Sequence, residues 1–443
     1  MPFLFRRRER RRTIQPFSVS QHVIYPGTSV EAPRPLRLTT PAAQYAYAVA
    51  FTPLWPRRKR SSHRDGAFRV RLRVNEGRIA VMSIDDSGTV VIDRAVIEPS
   101  VEFVQHDVVA APLAACAAIV ISNERADGRP SQVVIDRIDC EDLGRSDEGD
   151  ELSGSEPSTL RTVPNWHEYY GGRGRSMAER LRSARYAQLT AVKPMRWLEG
   201  LTIWIQPNDD LSRAVYISGQ YEPATLLLLR RLLRPGATFV DVGANAGLYS
   251  LLAARWIGDS GRVHAFEPSA REFERLEQHL QVNDIRHVTA WRYAIGHREG
   301  SIDLRVAARP NAGHNTVGNS FAYSGVAMAK IDRVAVTTLD AWAANEKVDR
   351  IDVVKMDIEG AEAAALDGAA NVLTHFRPAW LTEVSAEALR GCGSTPAAVF
   401  ERFMAAGYTL HTIDDAGGIA RASEPDAIGS GNFLALPTEC SLD

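Results

Sequence analysis

Phe239-Val-Asp-Val-Gly-Ala-Asn-Ala-Gly-Leu-Tyr-Ser250 is the stretch whose reading decides the fold of this chain. Its apolar start reads as a buried strand ending at Asp241, then a tight turn from Gly243 to Gly247, then a helix beginning at Leu248. A strand that runs through a glycine turn into a helix N-terminus aims backbone N–H groups and the positive end of the helix dipole at one spot. That arrangement holds a nucleotide-like ligand.

Downstream, apolar runs alternate with helical periods. Strands are expected near residues 238–242, 262–266, 288–293, 351–357 and 379–384, and helices near 248–256, 270–282, 360–374 and 395–406. This order predicts an α/β fold on a mostly parallel sheet. Tyr408–Ile413 and Asn432–Leu436 read as an antiparallel closing pair. Ser301–Val306 and Val334–Leu339 read as an inserted β excursion, with the glycine-rich loop Asn311–Asn319 between them. Upstream, Trp197–Ile205 and Val215–Ser218 read as short strands feeding Tyr221-Glu-Pro223, and a helix runs from Ala224 to Leu233. A helical run from Ser176 to Val192 follows the aromatic patch Asn165-Trp-His-Glu-Tyr-Tyr170.

The first third has another period. Phe68-Arg-Val-Arg-Leu-Arg-Val74 alternates strictly, which makes a strand with one face buried and one wet. Short runs at Arg78–Ile84, Val90–Ile92, Val101–Val104, Ala117–Ile121 and Val133–Ile138, separated by turns, predict a β-sandwich or jelly roll over residues 17–140. Carbohydrate binding by such a domain would need exposed rings, for which Tyr45, Tyr47, Trp55 and Phe68 are the candidates. Residues 141–160, with Asp147–Pro157 almost free of apolar side chains, read as a linker, and 161–443 as the second domain. Residues 1–16 read as a basic tail: Arg6-Arg-Arg-Glu-Arg-Arg-Arg12 follows the apolar residues instead of preceding them, the reverse of an export signal.

Composition agrees with two ordinary globular domains: 443 residues, 45% hydrophobic and 24% charged. The net charge of -2 argues neither for nor against a nucleic-acid partner, and no run is long enough to span a membrane. Cys116, Cys140, Cys392 and Cys440 are scattered and lack metal-site spacing, which suits a reducing cytoplasmic setting.

Charge narrows the ligand. Asn245 stands where a dinucleotide site wants a middle glycine, and a carboxylate at Asp241 repels a pyrophosphate. S-adenosylmethionine carries an ammonium and a sulfonium, so an acid is favourable there, and its carboxylate can accept N–H bonds from the turn or helix start. Glu267, in Val263-His-Ala-Phe-Glu-Pro268, ends the second strand and can accept both ribose hydroxyls, with Phe266 or a residue near Ala294 flanking the adenine.

Together with Ala294-Ile-Gly296, Thr337-Thr-Leu-Asp340 and Lys355-Met-Asp-Ile-Glu-Gly-Ala-Glu362, these motifs resemble the FkbM family of S-adenosylmethionine-dependent methyltransferases, over about Trp197 to Leu436. The resemblance implies a class I methyltransferase fold and O-methylation of a hydroxyl on a sugar, glycan or natural product. The cofactor contacts it suggests are Tyr221, Glu222, Asp241, Gly243, Ala244, Asn245, Gly247, Tyr249, Glu267, Pro268, Ala294 and Asp357.

Methyl transfer asks the protein to align the reactants, exclude water and supply a base to a hydroxyl acceptor. Asp357, closing the fourth strand, is the leading base candidate; His314, on the glycine-rich loop, and Glu383, ending the fifth strand, are the others. Asp357, Glu359 and Glu383 also offer oxygen ligands of the kind Mg²⁺ takes, although carboxylates at strand ends are common in this fold and no metal is expected. Met356-Asp-Ile-Glu-Gly360 replaces the Asn/Asp-Pro-Pro-aromatic motif of nucleobase amine methylation, so a DNA acceptor is not expected. The competing readings are a protein, lipid or RNA acceptor docked by the Arg6–Arg12 arm, or a scaffold that kept the fold without the chemistry.

Overall fold

The computed structural model describes residues 12–14, 22–33, 35–52, 64–85, 91–145, 160–163, 166, 169, 174–322, 325–422 and 430–440. Most of the arginine run, Trp55 and the acidic linker lie outside them. The chain divides into two compact units, residues 1–154 with 175–190, and residues 155–174 with 191–443.

In the first unit, Arg64–Glu76 and Gln132–Arg145 pair antiparallel at the centre of a six-stranded sheet. A five-stranded antiparallel sheet centres on Ala118–Asn123 and Ile79–Ile84. One apolar cluster takes side chains from both, including Phe68 and Leu72 from the first and Phe51, Ile79 and Ile119 from the second. The expected alternation holds: Phe68, Val70, Leu72 and Val74 are buried, while Arg69, Arg71 and Arg73 face outward. Arg69 pairs with Asp107 and Glu141, Arg71 with Asp136, and the Arg71 and Arg73 guanidinium groups lie 5.5 and 5.3 Å from the Phe103 ring centroid. The helix Met177–Ala187, started by a Ser176–Glu179 capping box, buries Ala184 in this unit's core. The strand expected at Val101–Val104 instead runs Val104–Ala110, because Val101 is left 91% exposed. Of the four rings proposed for carbohydrate, Phe68 is in the core, Tyr47 is half-buried edge-on to Tyr25, and Tyr45 is 61% exposed.

The second unit is built on an eight-stranded sheet. Its strands are β1 (Thr238–Val242), β2 (Arg262–Phe266), β3 (Val288–Trp291), β4 (Val353–Met356), β5 (Ala379–Val384), β6 (Tyr408–Ile413), β7 (Ile419–Arg421) and β8 (Gly431–Pro437), in the spatial order β3-β2-β1-β4-β5-β8-β6-β7. The first five are parallel, and β8 enters antiparallel between β5 and β6. Strand order reverses between β1 and β4, and a doubly wound sheet opens its ligand crevice at the carboxyl ends beside such a reversal. This is the arrangement a class I methyltransferase fold requires, and it brings Asp241, Glu267, Asp357 and Glu383 to one edge of the sheet. The inserted excursion is the antiparallel pair Gly300–Ala307 and Met328–Thr337.

Three expectations are corrected here. Val215–Ser218 is the end of a helix, α1 (Asp210–Ser218): Asp209 caps it by accepting from the Ser212 N–H at 2.8 Å, and Gly219 ends it at φ 83°. Trp197–Ile205 is not one strand. Lys193–Arg196 turns through Glu199 (φ 55°) and Gly200 (φ 69°) to pair with Thr202–Ile205. The helix expected over 360–374 breaks after Glu362–Asp367 and resumes as a π turn at Val372–Phe376. At the break a Cβ on Gly368 would lie 2.1 Å from the Gly296 carbonyl oxygen, and Asp340 accepts the Asn371 and Val372 N–H groups at 2.9 and 3.0 Å.

Candidate active site

The site begins at the turn after β1, which leads into helix α3 (Leu248–Ile257); helix α2 (Pro223–Leu232) precedes it. Gly243, Asn245 and Gly247 all adopt positive φ, at 85°, 50° and 82°. Gly243 is required by crowding: a Cβ there would sit 1.9 Å from the Asp357 carbonyl oxygen. Asn245 tolerates the left-handed conformation because its own Oδ1 accepts the Ala246 N–H at 2.7 Å.

The turn amides are engaged within the protein. Gly243 and Ala244 donate to the Phe266 carbonyl, Asn245 to Glu267 Oε2, Ala246 to Asn245 Oδ1 and Gly247 to the Ala244 carbonyl. A ligand carboxylate is therefore left the first-turn amides of α3, at Leu248 and Tyr249, which have no acceptor within the described residues.

Glu267 is held by two backbone donors, Asn245 N at 2.9 Å on Oε2 and Ser269 N at 2.8 Å on Oε1, and is 5% exposed. Burial, reinforced by the charge of Glu272, pushes its pKa up to about 8. Asp241 is fully buried, and Ser250 Oγ donates to its Oδ2 at 2.6 Å. Burial raises its pKa, against the pull of Lys355.

Lys355 is the centre of an acidic cluster. It is 3% exposed, its Nζ is 3.3 Å from Asp357 Oδ2, and it lies 4.6 Å from the Tyr249 ring centroid. Burial opposes its charge, but Asp357, Asp241, Glu222 and Glu383 outweigh burial and hold it protonated. Glu383 is driven well above the carboxylate range, first by the charge of Asp357 and then by burial, and it shares a hydrogen bond with Asp357. Glu222 is raised by burial and then by Asp357; its carboxylate accepts from Tyr249 Oη at 2.7 Å and from Asn432 Nδ2 at 3.4 Å.

The glycine-rich loop forms the opposite wall, clasped from several sides. Asn311 Nδ2 donates to Asp210 Oδ2 at 3.0 Å, Asn315 Nδ2 to Glu272 Oε2 at 3.0 Å, and Thr316 Oγ1 to the Glu359 carbonyl at 2.8 Å. His314 Nδ1 lies 2.8 Å from Glu359 Oε1. Burial works against an imidazolium at His314, but the Glu359 hydrogen bond and charge, with Asp357 and Asp210 behind them, raise its pKa. Glu359 itself sits at φ 50°, an uncommon conformation for a non-glycine residue that aims its side chain at this loop.

These walls enclose a cavity of about 370 Å³. Tyr221, Glu222, Gly243, Ala244, Asn245, Tyr249, Glu267, Pro268, Ala294, His314, Asp357 and Glu383 all line it, as does Phe266. Asp241 and Gly247 do not: Asp241 points under the turn to Ser250, and Gly247 packs where a Cβ would meet Leu276 at 2.3 Å. Lys355, Asp210, Trp166 and Tyr293 also line the cavity and were not picked out from the sequence. Lys355 entered only as the first residue of the Lys355–Glu362 motif, and nothing local marked Asp210. Trp166 carried a signal in its aromatic patch. Among the described residues no group of three or more His, Cys, Asp and Glu side chains is placed to hold a metal ion, and no helix is long and apolar enough to cross a membrane.

Residues 241–410 match the model of the methyltransferase FkbM domain. No curated protein matches the chain. Among solved structures, it resembles a methyltransferase FkbM from Methylobacillus flagellatus KT at 17% identity, covering 52% of this chain and 66% of that one, with a TM-score of 0.29. A SAM-dependent O-methyltransferase from Thermotoga maritima is similar at 11% identity, with 57% and 79% covered and a TM-score of 0.29. An O-methyltransferase from Bacillus cereus in complex with SAH is similar at 13% identity, with 49% and 79% covered and a TM-score of 0.29. The family rests on the domain match, whose span holds the turn, Glu267, His314 and the Lys355–Glu362 corner: this chain carries a methyltransferase FkbM domain in its C-terminal half.

Proposed function

We propose that this chain methylates a hydroxyl oxygen of a small acceptor, using S-adenosylmethionine as the donor and His314 as the general base. The observation that carries this reading is the His314–Glu359 pair at 2.8 Å on the wall of a cavity that Glu267 also lines. The donor set fits this cofactor. Six carboxyl side chains line the cavity against two cations, which favours a ligand with sulfonium and ammonium charge over a pyrophosphate. Glu267 would accept the ribose hydroxyls, Phe266 and Tyr293 would flank the adenine, and the α3 N-terminus would receive the carboxylate. When bound, S-adenosylmethionine supplies an electrophilic methyl group.

The protein's part is alignment, exclusion of water and removal of one proton. With Nδ1–H donated to Glu359, the basic atom of His314 is Nε2, a carboxylate-oriented histidine of the kind that serves as a base elsewhere. Asp357 is less suited, because it already accepts from Lys355 and is hydrogen-bonded to Glu383; its role is to hold negative charge beside the donor. His314→Gln should lower turnover by about 10²–10⁴-fold while S-adenosylmethionine affinity, read by calorimetry, stays within a few-fold. Wild-type turnover would remove His314 from the role. Turnover should rise with pH through a His314 pKa lying above 6.5. Glu359→Gln, which removes the raising charge, should move that limb to lower pH.

We also propose that the β-rich first unit is a β-sandwich whose last strand runs on through Arg145, which shortens the expected linker to 146–160, and that the methyltransferase region is the second unit, without the helix Met177–Ala187. The cluster shared by the two antiparallel sheets supports the first part. Limited proteolysis that cleaved inside 64–145 before 146–160 would contradict this division.

A further inference from the structure

We infer that the acceptor end of this cavity is selective by charge: it takes a hydroxyl compound with no phosphate or carboxylate, whose ring or apolar face lies against Trp166. The inference rests on the methyltransferase reading above and names the acceptor's chemical class.

The lining acids are Asp210, Glu222, Glu267, Asp357, Glu359 and Glu383; the lining cations are Lys355 and His314. Both cations are engaged by carboxylates, Lys355 by Asp357 and His314 by Glu359. Among the described residues no arginine lines the cavity. An anionic acceptor would be desolvated among acidic side chains, with both lining cations of the described residues already committed to Asp357 and Glu359, whereas hydroxyl or amine groups find partners along the wall.

Trp166 gives that wall a flat apolar face. It lies upstream of the matched domain residues and lines the cavity half-buried. Tyr169 stacks on it at 5.6 Å and 19°, and Tyr221 meets it edge-on at 6.3 Å and 87°. The two tyrosines fix the plane of the indole, so the ring is a preformed platform on the wall of the cavity. A sugar ring or a comparable alicyclic polyol has one apolar face and a rim of hydroxyl donors, which matches a cavity lined by both a flat indole and acidic side chains.

The test uses the full chain saturated with S-adenosylhomocysteine and saturation-transfer NMR. The probes are methyl α-glucopyranoside, its 2-amino-2-deoxy analogue and its 6-phosphate. The neutral and amino glycosides should receive saturation at their ring protons, and the phosphate at least about tenfold less. Trp166→Ala should weaken the first two by about tenfold, and Trp166→Phe should keep them. S-adenosylhomocysteine affinity should stay within about twofold in both variants, which also certifies their folding. Equal transfer to the phosphate, no transfer to any probe, or undiminished transfer in Trp166→Ala overturns the inference. If S-adenosylhomocysteine does not bind the unmodified chain, the methyltransferase reading falls with it; if it binds and selectivity is missing, only this inference falls.

Discussion

Two charged regions of this chain obey opposite rules. On the outward face of Arg64–Glu76, Arg69, Arg71 and Arg73 each meet a carboxylate, a carbonyl or a ring at the surface, and charge is balanced locally. In the cavity of the second unit, carboxyl groups outnumber cations among the described lining residues. A balanced surface pair contributes little, because solvent screens it and ordering two long side chains costs entropy. An unbalanced buried set is costly to the empty protein and persists where a ligand supplies the missing charge. The contrast separates charges that keep a strand face wet from charges that wait for a cation.

Lys355→Met should show the largest effect on this contrast. It removes the one buried ammonium from among Asp357, Asp241, Glu222 and Glu383 and should cost about 3–5 kcal/mol in urea unfolding at pH 8. The loss should shrink toward pH 5, as Asp241, Glu222 and Glu383, whose pKa values are raised in the fold, take up protons. A loss that does not depend on pH would mean that Lys355 acts by packing alone.

Glu267 should give a smaller effect with a definite sign. Its pKa is about 8 folded against 4.5 in a free chain, so the folded form holds a proton across that window. The empty protein should therefore lose stability as pH rises from about 4.5 to 8, and Glu267→Gln should flatten that slope. An unchanged slope in thermal melts would show that Glu267 is ionised throughout.

The smallest effect belongs to the strand face. Arg71→Ala, which breaks the 3.3 Å pair with Asp136, should cost under about 1 kcal/mol and less in high salt. A loss comparable to that of Lys355→Met would erase the contrast between the two regions.

Much of the second unit was legible because its signals are local. Val, Ile and Phe runs closed by glycine or an acid located β1, β2 and β5, and the clean period of Ala270–Val282 located its helix. Where tertiary contacts decide, the sequence was less informative. Val215, Tyr216 and Ile217 favour strands, yet Asp209 and Gly219 cap them into a helix. An acid at a strand end can face the crevice or be drawn under the turn; Glu267 does the first and Asp241 the second, because Ser250 on the next helix reaches it. Lys355 was unreadable in the same way, since alternation marks which face a residue takes and says nothing of whether that face is covered. The pairing of His314 with Glu359 joins residues 45 apart and depends on the left-handed backbone of Glu359, and no local pattern encodes it.

The central claim is that the cavity's excess of carboxyl groups serves a cationic cofactor. Calorimetric titration of S-adenosylmethionine into the full chain at pH 7, in two buffers of different ionisation enthalpy, tests it most directly. The account predicts saturable binding with net proton release, as Glu267 and its acidic neighbours ionise around the ligand's charge. Absence of binding, or binding with no buffer dependence, would contradict it.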